Sequence, residues 1–296
     1  MNFNEIRKLI KKESENDNNS FEHSGDYIQK KIFALSKHKT MSLIKEFGTI
    51  PEDINHDSSE EKLYSKTTDI LLAKTFHELG IQAVVNKERA NCADVVGRSS
   101  IYGYSFVADA KAFRLSRTAK NQKDFKVKSM VDWKGEHDYA VLVSPYYQYP
   151  KNNSQIYGQA LDGNVCLLSW EHLLFLLELN AKESESLNLS LIWNISERIG
   201  ETVTIKGKNN NLNFHEKGNR LICHDLSVDY NRLIECFDSC KKAMVERGEN
   251  EIGFWENRIQ EIKLYSKGRA IKELMSALKL KEKIRTISDF IGTLRD

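Results

Sequence analysis

Apolar positions along the chain follow two rhythms, and the change from one to the other divides it. Phe3, Ile6, Leu9 and Ile10 open at helical spacing, and the polar run ESENDNNS that follows reads as a loop. Ile28, Ile32, Leu35, Met41, Leu43 and Ile44 carry a helical period through residues 26–47, which Gly48 and Pro51 end. The spacing predicts the clearest helix of this half over residues 58–80. Ser58 and Glu61 match a capping box, Leu63, Thr67, Ile70, Leu71, Phe76 and Leu79 supply its buried side, and Gly80 stands where a C-terminal cap belongs.

After Gly80 the period becomes that of strands. Residues 81–85, 94–96 and 104–113 each read as one, with SSIYG joining the last two as a hairpin. YAVLVS (139–144) and residues 165–169 are near-continuous apolar runs of strand length, the second feeding a helix over 170–179. Between them, residues 114–128 carry too few apolar side chains for a core helix, and 152–161 are polar with weak helical spacing. Residues 187–199 fit either period, and the alternation of Leu187, Leu189, Leu191 and Trp193 tips the reading to a strand. GKNNNLN is an exposed loop, and from Ser227 onward helical stripes fill the chain.

This order describes an α/β fold, a mixed central sheet flanked by helices, with a mainly helical C-terminal region. It divides into an N-terminal helical segment (1–57), a core (58–180) and a C-terminal region (181–296) whose stripes suit a subunit contact or a DNA-contact lobe. A chain of 296 residues can bury a sizeable core. Its net charge of +2 is too small to argue for a polyanion partner, so any such site must be a local basic patch. Five cysteines without a CxxC pair suit reduced thiols in a cytoplasmic protein, and Cys223, His224, Cys236 and Cys240 lack the spacing of common zinc modules. No apolar run approaches a membrane span or a secretory signal.

The chemistry concentrates in residues 93–128. Asp109 and Lys111 stand two apart in a predicted strand and so share a face, and Asp94 on the neighbouring strand can turn to the same edge. Two carboxylates, with the Ala110 carbonyl, offer the hard oxygens that Mg²⁺ prefers, and Lys111 can orient a water or neutralise a phosphorane. The bland alternative is an Asp–Lys salt bridge, but an acid inside FVADA loses its hydration unless it is paired or metal-bound. From Lys111 to Lys128 there are seven Lys or Arg and one acid, Asp124. A helix upstream can lend a further carboxylate, and Glu61 is the candidate there, although capping is a sufficient role for it.

The pattern Asp94, fourteen residues, Asp109-Ala110-Lys111 resembles the PD-(D/E)xK nuclease signature. The run FVADAKAFRLSRTAKNQKDFKVK, with SSEEKLYSK, YAVL, QYP, SQIY and SWEHL around it, resembles the HindIII family of type II restriction endonucleases over about residues 40–180. The resemblance implies a restriction-endonuclease-like core and a homodimer that uses Mg²⁺, with Mn²⁺ able to substitute. It implies cutting of double-stranded DNA at AAGCTT between the two adenines, leaving 5′ overhangs, and a companion methyltransferase. Asp94, Asp109 and Lys111 would be the catalytic set, with Asp124 where the family also has an acid. Ala93 replaces the proline of the signature, and Lys87 stands at a family glutamate with Glu88 beside it.

Base reading would fall to the basic segment. Asn121 and Gln122 can pair with adenine, Arg117, Lys120 and Lys123 with guanine, and Ala119 can touch a thymine methyl, with Arg114, Asp124 and Lys126 in the same stretch. Two other readings remain open on the residues alone: a non-catalytic DNA-binding protein and a structure-selective repair or junction nuclease.

Overall fold

A helix whose second half is buried on every side sets the frame. The computed structural model describes residues 1–87, 92–117, 122–151, 153–202 and 213–293. Helix α1 (Phe3–Ser14) starts with a capping box in which Asn2 and Glu5 each accept the other's backbone N–H, and it buries Ile6 and Ile10. The apolar period of residues 26–47 is two helices, α2 (Phe21–Phe33) and α3 (Lys37–Phe47), not one. The chain turns at Ala34 and Ser36, with Ser36 extended, and this bend lets Ile28 and Ile32 on one helix and Leu43, Ile44 and Phe47 on the other all reach the core.

Helix α4 (Ser59–Glu78) packs against α1, α2, α3 and the first strands. Ser58 accepts the Glu61 N–H at 3.1 Å, as the sequence predicts. Only half of the capping box forms, because the Glu61 carboxylate accepts the N–H of Asp57 instead of that of Ser58. At the other end Gly80 adopts φ +86°, with the Gly80 and Ile81 N–H groups closing onto the carbonyls of His77 and Phe76. This is the Schellman stop expected of glycine there.

Five strands, β1 (Gln82–Val85), β2 (Val95–Arg98), β3 (Ser105–Ala110), β4 (Tyr139–Ser144) and β5 (Val165–Ser169), lie in that order. The first three run antiparallel as a meander, and β3, β4 and β5 are parallel. The sheet is therefore mixed, as the pattern predicts. Phe106 on β3 stacks its ring directly over Gly97 of β2, where an added Cβ would meet it at 2.3 Å, and touches Phe76 and Trp193.

The parallel connections hold helices that the polar composition obscured. The basic segment ends in α5 (Gln122–Phe125) and α6 (Val127–Lys134); Val127 and Met130 enter the core beside β3 and β4, and Phe125 packs against the rings of Phe113 and Tyr149. Three well-placed apolar side chains suffice for a crossover helix whose other face is wet. After the 3₁₀ turn Tyr146–Gln148, helix α7 (Gln155–Gly163) buries Ile156, Tyr157 and Ala160. Helix α8 (Trp170–Glu178) begins directly after β5 with Ser169 as its cap.

Against the strand expectation for residues 187–199, Leu187 makes only an isolated bridge to Ser184 and the chain from Ser190 is helical, as α9 (Ser190–Trp193) and α10 (Ile195–Thr202). Ile192, Ile195 and Ile199 share the buried side while Leu191 is exposed, and the Ser196 hydroxyl caps the Val165 carbonyl at 2.6 Å. The alternation was present, but the period of 3.6 had the burial. Of the GKNNNLN loop, residues 207–212 lie outside the described residues. Helices α11 (Phe214–Asp225), α12 (Tyr230–Lys263), α13 (Lys267–Ala277) and α14 (Leu280–Thr293) complete the chain.

Two compact units result, residues 1–246 and 247–296. In the first, Cys166, Cys223, Cys236 and Cys240 are buried packing residues. In the second, Ile252, Trp255, Ile259, Ile262, Ile271, Leu274, Leu278, Ile284 and Ile287 are exposed at helical spacing. Among the described residues no helix is long and apolar enough to cross a membrane.

Candidate active site

Asp109 lies near the C-terminal end of β3, between β2 and β4, and is 1 % exposed. Lys111 follows the strand and continues its ladder, its N–H donating to the Val143 carbonyl at 2.7 Å while its own carbonyl accepts the Trp170 indole N–H at 3.0 Å. With its backbone fixed on both sides, the Lys111 ammonium returns onto Asp109 as an ion pair. The two share a side, as strand alternation predicts. Ala110 between them pairs with Val143.

Asp94, immediately before β2, comes to the same place. One oxygen each from Asp69, Asp94 and Asp109 lies within 4.8 Å of the others. Asp69 is the residue that the sequence reading missed. It sits mid-way along α4 and is 7 % exposed. Glu61, the helix residue named from the sequence, stands eight positions earlier, about two turns or roughly 12 Å along the axis. Its carboxylate is held by His56 at 2.9 Å, by the Asp57 N–H at 2.7 Å and by Arg114.

Three carboxylates beside two ammonium groups are short of positive charge. Burial pushes the Asp69 carboxyl well above the ordinary range, with Asp94 and Asp109 adding repulsion. The same causes, burial first and then Asp109, push Asp94 up to about 6, while Lys111 and Lys66 oppose the rise. Hard oxygens converging from α4, from β3 and from the residue before β2 fit a divalent cation of the Mg²⁺ kind. The cation would relieve the repulsion that the fold imposes on them.

A dependence on pH follows from these shifts. A carboxyl with a raised folded-state pKa contributes stability fully present below the unfolded value near 4, and lost as pH rises through the folded value of about 6. In chelator, the urea midpoint of the parent should fall relative to that of Asp94→Asn between about pH 4 and about pH 7. Parallel curves for the two proteins would refute the assignment. Cation binding has the opposite sign, because ligating carboxylates must be ionised.

The basic segment is anchored beside this site. Arg114 donates to the Pro51 carbonyl at 2.8 Å and pairs with Glu61, and Ser116 is gripped by Glu52 through its N–H and hydroxyl at 2.9 and 2.7 Å. Arg117 pairs with Asp124 and lies over the Phe113 ring at 5.7 Å. Asp124 thus sits with Arg117, and among the described residues its oxygens are not part of the aspartate trio. Lys123 and Lys126 are exposed, and Lys126 is left-handed (φ +50°) with its ammonium 5.6 Å from the Trp133 ring centroid. Glu88, Ala119, Lys120 and Asn121 lie outside the described residues, as does the side chain of Gln122.

Comparison with known proteins extends over nearly the whole chain. Residues 4–291 match the family model described as HindIII restriction endonuclease. The Type II restriction enzyme HindIII of Haemophilus influenzae (strain ATCC 51907 / DSM 11121 / KW20 / Rd) is 36 % identical over 290 residues, 98 % of this chain and 96 % of that protein. The similarity therefore includes the N-terminal helices and the C-terminal unit, where the sequence resemblance was weak.

Proposed function

Since the chain belongs to the HindIII restriction endonuclease family, we propose that it is a type II enzyme that cuts double-stranded DNA at the palindrome AAGCTT, between the two adenines, to leave 5′ overhangs. The observation that carries this reading is the convergence of Asp69, Asp94 and Asp109 within 4.8 Å, with Lys111 paired onto Asp109. Discrete fragments from Mg²⁺-containing digests of DNA bearing AAGCTT, with ends mapped to the nucleotide, would support it. Uncut DNA from folded protein, or cutting without regard to sequence, would overturn it.

Asp69, Asp94 and Asp109, with the Ala110 carbonyl, would hold Mg²⁺ or, in its place, Mn²⁺. When bound, the cation supplies Lewis-acid polarisation of the phosphate and a lowered pKa for the attacking water. Lys111, Asp94 and Asp109 form the proposed catalytic set. The Lys111 ammonium orients the water and donates to the charge that builds on the phosphate oxygens. Its backbone bonds to Val143 and Trp170 keep that donor aimed.

Asp69→Asn should have opposite effects on folding and on binding. The neutral isostere removes one of three repelling buried carboxylates, so the metal-free protein should gain stability, while cation affinity falls at least about tenfold. Urea unfolding in chelator and a Mg²⁺ titration test the two signs, and unchanged Mg²⁺ affinity would remove Asp69 from the site.

Reading of the site is assigned to Arg117, Ala119, Lys120, Asn121, Gln122, Lys123 and Lys126, close in sequence to Lys111. Arg114, tied to Glu61 and Pro51, anchors the segment on α4 and the loop before it. A two-fold site calls for a two-fold protein, and we assign the dimer to the exposed apolar stripe of the C-terminal unit. Ile259→Glu should raise the dimer dissociation constant by roughly tenfold or more in sedimentation runs. An unchanged constant would move the interface elsewhere. The enzyme would act in the cytoplasm, beside a methyltransferase that modifies the same sequence.

A further inference from the structure

Each aspartate of the trio is held in place by a different device. Asp69 is fixed by its helix and Asp109 by the strands on either side of it, but Asp94 precedes β2 and has no strand length before it. With its oxygen within 4.8 Å of those of Asp69 and Asp109, the direction of its side chain must be set in another way.

Asn86, just after β1, supplies the hold. Its N–H donates to the Asp94 carbonyl at 2.8 Å, one step beyond the last register pair, Val85 with Val95. Its side-chain Nδ2 donates to the Ala93 carbonyl at 2.9 Å. These two carbonyls belong to the peptide planes on either side of the Asp94 Cα. Fixing both planes fixes φ and ψ of Asp94, and with them the direction of its Cα–Cβ bond. The Asn86 carbonyl in turn accepts the Lys66 ammonium at 2.8 Å, from the turn of α4 that precedes Asp69. The hold on Asp94 is thereby tied to the helix that carries another carboxylate of the trio.

We propose that Asn86 is a positioning residue for the cation site: its side-chain amide presets the Asp94 carboxylate as a ligand, with Lys66 bracing it from α4. The inference rests on the cation site proposed above. Alanine keeps the backbone bond to Asp94 but frees the plane between Ala93 and Asp94, so the ligand direction loosens while the ladder survives.

The test is a Tb³⁺ titration of the full chain without DNA, with Mg²⁺ competition. Asn86→Ala should bind about tenfold more weakly than the parent, the loss typical when a group supporting a ligand is removed. Asn86→Ser, which retains a shorter donor, should fall between the two and serves if the alanine variant unfolds. Asn164→Ala is the control for general destabilisation. Its side chain bonds Asn194 at 2.7 Å and the Glu197 N–H at 3.3 Å, so its loss should lower the urea midpoint and leave Tb³⁺ affinity unchanged. Asp94→Asn separates the two readings. If it binds Tb³⁺ as tightly as the parent, the cation site and the role of Asn86 both fail. If Asp94→Asn loses binding while Asn86→Ala weakens no more than Asn164→Ala, the role of Asn86 alone is overturned.

Discussion

Asp109→Asn should lower the rate of DNA cleavage by at least about 10³-fold at saturating Mg²⁺, because loss of the charge stabilisation a bound cation gives is an effect of several kcal/mol and each 1.36 kcal/mol is a decade. DNA affinity in Ca²⁺ or chelator should change by much less, since Asp109 is buried and the substitution leaves the exposed cations Lys123 and Lys126 in place. Folding should survive. The substitution leaves Lys111 without its nearest anion, but Asp94 and Asp69 remain beside it, and one of three repelling carboxylates is gone. The outcome separates the nuclease from the alternative in which Asp109 and Lys111 are only a salt bridge in a DNA-binding protein. That alternative requires cleavage to be absent from the parent as well, and the variant to differ only in stability. Burst assays on a duplex with one AAGCTT site, beside gel shifts of the same duplex, decide it.

The strand face of Asp109 and Lys111 was legible because a period of two is a strict rule and both residues lie on one short element. Asp94 was legible from its place at the head of the neighbouring predicted strand and from the nuclease signature, although it precedes β2 and does not lie in it. Asp69 was not, although its signal was in the sequence. Residues 67–76 of α4 are all buried, so the polar residues among them needed an account that periodicity does not give. Thr67 and Thr75 satisfy themselves by donating to the carbonyls of Leu63 and Leu71 at 2.7 and 2.8 Å. An ionised Asp has no donor and cannot do this, so it must find a partner outside the helix. An aspartate in TTDILLAK was therefore the better candidate than Glu61, which stood at an exposed end with capping work to do. The strand expectation for residues 187–199 failed for a different reason. Leu187, Leu189 and Leu191 do alternate, but burial at Ile192, Ile195 and Ile199 follows the helical period, and spacing alone does not rank two periods that both fit.

Lys111→Met should lower cleavage by roughly 10² to 10⁴, the range for a lost proton-transfer or charge-stabilising group, and in one respect should act opposite to Asp109→Asn. Methionine keeps an apolar stem of similar length in a site where Lys111 is only 12 % exposed, so packing is retained and the charge is what goes. Removing a positive charge from beside three carboxylates strengthens their pull on a cation. Mg²⁺ or Tb³⁺ affinity should therefore rise for Lys111→Met while it falls for Asp109→Asn, although both variants lose cleavage. A salt bridge with no catalytic role predicts otherwise: the two substitutions would break the same pair, would destabilise alike, and would leave cleavage within about tenfold of the parent once stability is matched. Lys111→Arg sharpens the comparison. It keeps the charge but replaces a compact ammonium with a planar fork that needs a different approach to the phosphate. Cation affinity near the parent value with cleavage still depressed would place the requirement on the geometry of the Lys111 donor, and full recovery by arginine would reduce it to charge alone.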